Sequence, residues 1–251
     1  MAATLGAALL SALGAGCGPE LDVGSDLLFA ARFEGNSFGE WTSFPGGNAQ
    51  AFPATNTIEV SSERAHHGAF AAKLTIDAGP DGTQENAGLS LAGGLPTEAY
   101  YSAWYYLPRS VNVGNFWVIF KFQMENQATG NQLYDLDLTN LPSGEMTLRL
   151  YDHRVGADVP LDVTDPVVPV GQWFQVEAFY RNAQDATGRI TTWLDGRQIV
   201  DIAGQAMAPT SWVEWDAVSV GENLTPSAAV LFIDDCAVSR TRVGPAGIIA
   251  K

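Results

Sequence analysis

The chain has 251 residues, 46% hydrophobic and 16% charged, with 26 Gly and 13 Pro, a composition too apolar and too aromatic for a disordered polymer. Its 13 Lys and Arg against 28 Asp and Glu leave a formal net charge of −15, which argues against nucleic acid as a partner. No segment carries the ~18 to 20 consecutive apolar residues of a spanning helix, and the length suits one all-β domain of about 200 to 250 residues.

Residues 2–16 are uncharged and mostly Ala, Leu and Gly, and the run stops at Cys17 before Gly18, Pro19 and Glu20, the pattern of an export leader. Leu13-Gly14-Ala15-Gly16-Cys17 resembles the lipobox of bacterial lipoproteins, in which small residues precede a Cys whose sulfur takes diacylglycerol. Gly14 stands where Leu is usual, with Leu13 one place earlier. The resemblance implies a signal peptide over 1–16, a lipidated Cys17 with a tether over 17–25, and a location in the bacterial cell envelope facing periplasm or exterior. The membrane is then reached only through the lipid. A short buried N-terminal helix is the alternative for the apolar run. Cys236, inside the apolar segment from Ala229 to Val238, is expected as a small buried residue; a Cys17–Cys236 disulfide is the formal alternative in an oxidising compartment.

From Asp26 onward, apolar residues alternate or run in short blocks, and Gly, Pro, Asn and Asp punctuate the gaps. In chain order the pattern predicts strands over Leu27–Phe33, Ala69–Asp77, Ala87–Leu91, Tyr100–Leu107, Phe116–Met124 and Leu133–Leu141. It continues with Glu145–Tyr151, Trp173–Arg181, Arg189–Asp195, Gln198–Ile202, Val213–Val220 and Val230–Ser239. Hardly any segment holds a 3.6-residue period for three turns. The expectation is therefore an all-β, two-sheet antiparallel jelly-roll sandwich with under about a tenth helix beyond the leader. Domain bounds of 26–246, a C-terminal tail of 247–251 and a monomer are expected.

Several blocks carry a resemblance. They are Phe33-Glu34-Gly35-Asn36, Ala65-His66-His67-Gly68, Gly171-Gln172-Trp173-Phe174-Gln175-Val176-Glu177, Gly188-Arg189-Ile190-Thr191-Thr192-Trp193-Leu194-Asp195-Gly196 and Phe232-Ile233-Asp234-Asp235. Together they resemble concanavalin A-like jelly rolls of secreted bacterial proteins, especially polysaccharide-lyase-like ones of the heparin lyase I and glucuronan lyase type. The resemblance implies a concave sheet that takes a polysaccharide; lectins, glycoside hydrolases and binding modules share the framework.

Alternation along the middle strands assigns the groove. Phe116, Val118, Phe120, Phe122 and Met124 are expected in the core, with Trp117, Ile119, Lys121 and Gln123 on a mixed face. Asp135 and Asp137 oppose Leu136 and Leu138; Thr147, Arg149 and Tyr151 oppose Met146, Leu148 and Leu150. In Trp173–Arg181, Gln175 and Glu177 share the face opposite Phe174, Val176, Ala178 and Tyr180. Trp117, Asp135, Asp137, Gln175 and Glu177 are thus substrate-binding candidates, and ordinary solvent-facing positions are the plain alternative.

Elimination from a uronic acid needs a group that neutralises the carboxylate, a base for the C5 proton and an acid for the leaving oxygen. Lys121, Gln123 and Arg149 suit the first, and Tyr151 or His153 the others. The related lyases often carry Gln and His one residue apart on the central strand, and Lys121-Phe122-Gln123 holds no His. Tyr134-Asp135-Leu136-Asp137-Leu138-Thr139 faintly resembles the laminarinase-type Glu-x-Asp-x-x-Glu strand. Asp135 stands where that family has its nucleophile Glu and Thr139 or Asn140 where it has its acid, so the second of the two carboxylates that hydrolysis needs is missing. The reading is a polysaccharide-binding envelope lipoprotein, with a uronate-cleaving lyase and a non-catalytic interaction module as alternatives. His66 and His67 are expected in a solvated turn without a shared metal, because neighbours on an extended strand point oppositely. The resemblance further implies a structural Ca2+ held by Glu34, Asn36 and one of Asp234 and Asp235.

Overall fold

The computed structural model describes residues 26–124 and 132–246. The leader, Cys17, the whole tether to residue 25 and the tail at 247–251 lie outside the described residues. The elements in chain order are β1 (Leu27–Ala31), α1 (Gly39–Thr42), β2 (Gly47–Phe52), β3 (Thr57–Ser61), β4 (Ala71–Asp77), β5 (Glu85–Leu91), β6 (Glu98–Tyr106) and β7 (Asn112–Gln123). They continue with β8 (Gln132–Asn140), β9 (Met146–Asp152), β10 (Ala157–Val159), β11 (Trp173–Arg181), β12 (Arg189–Leu194), β13 (Arg197–Ala203), β14 (Glu214–Thr225) and β15 (Ala228–Ser239).

These strands form two antiparallel sheets. One has the order β13-β12-β11-β6-β15-β4-β3, with β1 added beside the end of β15; the other, β10-β9-β8-β7-β14-β5-β2. The jelly-roll sandwich read from the alternation is the observed fold. Each of the twelve predicted strands is present. The three missed ones, β2, β3 and β10, are short and largely uncovered, so few apolar side chains mark them.

The inner faces meet in one apolar core. Leu74, Tyr101, Tyr105, Phe174, Val176 and Ile233 come from the first sheet; Leu89, Trp117, Phe122, Leu136, Leu148 and Trp215 come from the second. The one-turn α1 seats Trp41 in this core, its Nε1–H donating to the Ser90 carbonyl at 2.7 Å. Cys236 is buried there as a free thiol, as expected, and its expected disulfide alternative has Cys17 outside the described residues.

Two register slips decide which side chains leave the core. Val118 faces Asp137 and Phe120 faces Leu136, so Ile119 is an extra residue on β7 relative to β8. Phe122 then faces Tyr134 while Gln123 faces Gln132, making Leu133 the extra residue on β8. Ile119 and Phe120 both enter the core, as do Leu133 and Tyr134. Strict alternation is broken at both points, which corrects the sequence assignment. Trp117 and Ile119 are core, and Trp117 Nε1–H donates to Ser219 Oγ at 2.9 Å; Val118 and Phe116 pack on the other face with Val218 and Val220.

Candidate functional site: a groove on the seven-stranded sheet

The outer face of the second sheet carries two adjoining pockets of 380 and 320 Å3. β7, β8 and β9 run side by side, so alternation brings Lys121, Asp135, Asp137, Arg149 and Tyr151 into the smaller one, joined by His153 just past β9. Phe116, Val118 and Val220 give it an apolar floor. The larger pocket lies toward β14, β5 and β2, and is lined by Gln50, Asn86, Ser90, Gln123, Glu214 and Asp216 among others. Lys121 and Gln132 border both.

Each cation of the groove meets a carboxylate. Lys121 Nζ is 3.5 Å from Asp216 Oδ2, and the Gln123 amide donates to the same oxygen. Arg149 Nε donates to Asp137 Oδ2 at 2.9 Å, with Asp158 3.6 Å from its Nη1. His153 Nε2 lies 2.8 Å from Asp135 Oδ2, and the Tyr151 and His153 rings meet edge to face at 4.8 Å. Because an ionised carboxylate only accepts, His153 Nε2 carries the hydrogen in this pair and Nδ1 is left as the basic nitrogen.

Burial makes the carboxyl groups here weaker acids. Asp137 is pushed up to about 6 by burial and by Asp135, against the pull of Arg149. Glu214 is pushed up to about 7 by burial and by Asp216, with Lys121 opposing, and burial raises Asp216 as well. Buried Oδ1 atoms of Asp135, Asp137 and Asp216 have no hydrogen-bond partner among the described residues.

Of the ten catalytic and substrate-binding candidates, Lys121, Gln123, Arg149, Tyr151, His153, Asp135 and Asp137 converge on this groove, and three do not. Trp117 is core. Gln175 and Glu177 belong to β11 in the other sheet, under the segment 240–244: the Gln175 amide donates to Ser102 Oγ and to the Gly244 carbonyl, while Glu177 accepts from Arg242 Nε and from the Val243 and Gly244 N–H groups. Alternation gives a residue's face but not its sheet, and this is why they were misplaced. Glu214 and Asp216 were missed. Their signal is present in Glu214-Trp215-Asp216-Ala217, where Trp215 and Ala217 are core and the acids point the other way.

Three of the four metal candidates, Glu34, Asp234 and Asp235, bond to the segment 66–70 beside the first sheet. Glu34 accepts from the Ala69 and Phe70 N–H groups. Asn36 makes a backbone turn, its N–H donating to the Phe33 carbonyl. β15 slips register after Asp234, and Asp235 has a left-handed backbone with φ of 43°, so the two acids do not splay to opposite faces. Asp234 Oδ2 accepts from the His66 N–H at 2.8 Å, and Asp235 Oδ2 meets Nδ1 of His66 at 2.7 Å and of His67 at 2.5 Å. The two histidines lie in a bend, not an extended strand, which corrects the expectation that they diverge. His66 is also stacked on Trp104 with ring centroids 3.7 Å apart. Asp234 is pushed up to about 8 by burial and by its neighbour; burial also raises Asp235, but the bonds from His66 and His67 outweigh it and hold its carboxyl below the usual range.

No protein-family model and no curated protein matches the chain. Solved structures do. An endo-β-1,4-glucuronan lyase from the fungus Trichoderma reesei superposes with a TM-score of 0.67 at 15% identity, covering 86% of this chain and 97% of that one. Alginate lyase vAL-1 from a Chlorella virus gives 0.59 at 12% identity over 86% and 100%, and an alginate lyase from Aplysia kurodai gives 0.58 at 11% over 86% and 99%. At such identities the likeness establishes the fold: the chain has the jelly-roll sandwich of polysaccharide lyase-type proteins.

Proposed function

We propose that the groove binds a uronate-containing polysaccharide and cleaves it by β-elimination. The observation that carries this reading is the convergence of Lys121, Arg149, Tyr151 and His153 on one pocket, with Asp135 orienting the imidazole. Lys121 and Arg149, with the Gln123 amide beside them, neutralise the substrate carboxylate and so acidify the C5–H bond. His153 Nδ1 takes that proton, the electron pair forms the C4–C5 double bond, and the Tyr151 hydroxyl protonates the departing glycosidic oxygen. The fold likeness to glucuronan and alginate lyases supports the same chemistry. Incubation with a panel of uronate polysaccharides tests it, through the ultraviolet absorbance of the unsaturated product.

A second reading, binding without cleavage, is favoured by one observation: Lys121 and Arg149 are already paired with Asp216 and Asp137, which suits a neutral glycan. Retention of oligosaccharide with no unsaturated product from any chain would select it.

Export as a lipoprotein belongs to the proposal on the strength of the sequence. Cys17→Ser is expected to move the protein from the membrane fraction to the soluble one, checked by fractionation; a variant that stays with the membrane contradicts lipidation.

The oxygen shell expected for Ca2+ does not fit the corner at Asp235, because Glu34 and Asp234 spend their oxygens on backbone N–H groups. The ligand atoms of His66, His67 and Asp235 lie within 4.8 Å of one another. Two imidazole nitrogens and one carboxylate oxygen suit a borderline divalent ion such as Zn2+ better than Ca2+, which takes oxygen. Zinc at about 100 times its Kd is expected to add about 2.7 kcal/mol of stability. Thermal melts with zinc, calcium and EDTA check this. A rise with calcium and none with zinc would reverse the assignment.

A further inference from the structure

The two halves of the groove differ in kind. On the β8–β9 side stand Arg149, Tyr151 and His153 over an apolar floor, with Asp137 against Arg149 and Asp135 against His153, and Lys121 borders both halves. On the β14–β5 side, Lys121 is the only cation among the described lining residues. It sits against Asp216, and the rest of the polar lining among the described residues is Glu214 with the amides of Gln50, Asn86, Gln123 and Gln132 and the Ser90 hydroxyl.

We infer that the groove takes a mixed polysaccharide, with a uronate residue in the Arg149–Tyr151–His153 half and a hydroxyl-rich sugar without a carboxylate in the Glu214–Asp216 half. This rests on the elimination reading and names its substrate class. A uronate in the second half would bring its carboxylate beside Glu214 and Asp216 with only the shared Lys121 to offset them, whereas in the first half Arg149 faces it in addition to Lys121. Like charges at such separation repel, the more strongly where water is displaced. A neutral sugar meets no such penalty: its hydroxyls donate to the Glu214 carboxylate and accept from the Asn86 and Gln50 amides, the usual pairing of sugar and polar side chain. Glu214 is only partly buried and can reach a ligand, whereas Asp216, two residues further along β14, is 2% exposed.

The test compares rates on two homopolyuronates, glucuronan and alginate, with rates on a chain alternating glucuronate with N-acetylglucosamine and one alternating uronate with a neutral hexose. The alternating chains are expected to be cleaved at least about tenfold faster, and Glu214→Gln is expected to raise the homopolymer-to-mixed ratio about tenfold by removing the charge. Faster homopolymer cleavage by the native protein, or a ratio unmoved by the variant, overturns the inference. A second measurement needs no variant. The carboxyl of Glu214, faced by Asp216, Lys121 and Gln123, is pushed up to about 7 by burial and by Asp216, so taking the native protein from pH 8 to pH 6 should largely discharge it and raise the same ratio; a flat ratio counts against the inference. If no chain yields unsaturated product, the elimination reading fails separately. Calorimetric titration with the same four chains then decides the subsites: tighter mixed chains support them, and equal or tighter homopolymers overturn them.

Discussion

Replacing Tyr151 by Phe, or His153 by Gln, should lower the rate of unsaturated product formation by about 10² to 10⁴, the usual contribution of one general acid or base. The substrate should still bind, because each change leaves the Arg149 and Lys121 charges in place. A kcat that falls while the calorimetric Kd stays within about threefold is the expected signature. Lys121→Ala should lose both binding and rate, since the same ammonium balances Asp216 and, in the proposed reaction, meets the substrate carboxylate. Single-turnover assays on an alternating uronate chain, with near-ultraviolet dichroism to check folding, provide the measurement. A Tyr151→Phe protein as active as the native one would remove Tyr151 from the proton transfers.

The largest expected effect on stability lies at the opposite sheet. Glu177 is fully buried and accepts from Arg242 Nε at 2.9 Å, from Val243 N–H at 2.7 Å and from Gly244 N–H at 3.2 Å. Arg242 also lies 4.3 Å over the Trp193 ring and donates to the Gly196 carbonyl. Glu177→Ala would leave two backbone donors without their acceptor and a guanidinium without its counter-ion, so about 3 kcal/mol should be lost. Arg242→Ala should cost only about 1 kcal/mol, because its head is 39% exposed and water takes over part of its role. Urea denaturation midpoints at constant m-value test the order. Equal losses would mean that the charge pair, and not the N–H groups of 243 and 244, carries the contact.

How far the sequence could be read depends on which quantity each feature needs. Strand identity and face follow from alternation alone, so β8, β9 and β11 were assigned correctly, down to Asp135 and Asp137 opposing Leu136 and Leu138. Sheet membership needs long-range pairing, which alternation does not encode. Gln175 and Glu177 therefore looked like Asp135 and Arg149 while lying on the far side of the molecule. Glu214 and Asp216 became groove residues only because β14 pairs with β7, a neighbour about a hundred positions away. The histidine corner was lost for another reason. Its geometry depends on a left-handed Asp235, and no rule for extended strands reaches such a residue.

The unpaired Ile119 makes β7 a strand with two parities. Before it, even-numbered residues face the groove, giving the apolar Phe116 and Val118; after it, odd-numbered ones do, giving Lys121 and Gln123. Removing a single residue at this point would exchange insides for outsides downstream, sending the lysine toward the tryptophans and Phe122 into water. The oily and the charged stretches of the groove floor are consequently locked in phase with the core packing. Single substitutions can retune either stretch, but a change in their spacing has to be matched by a compensating residue in β7 itself.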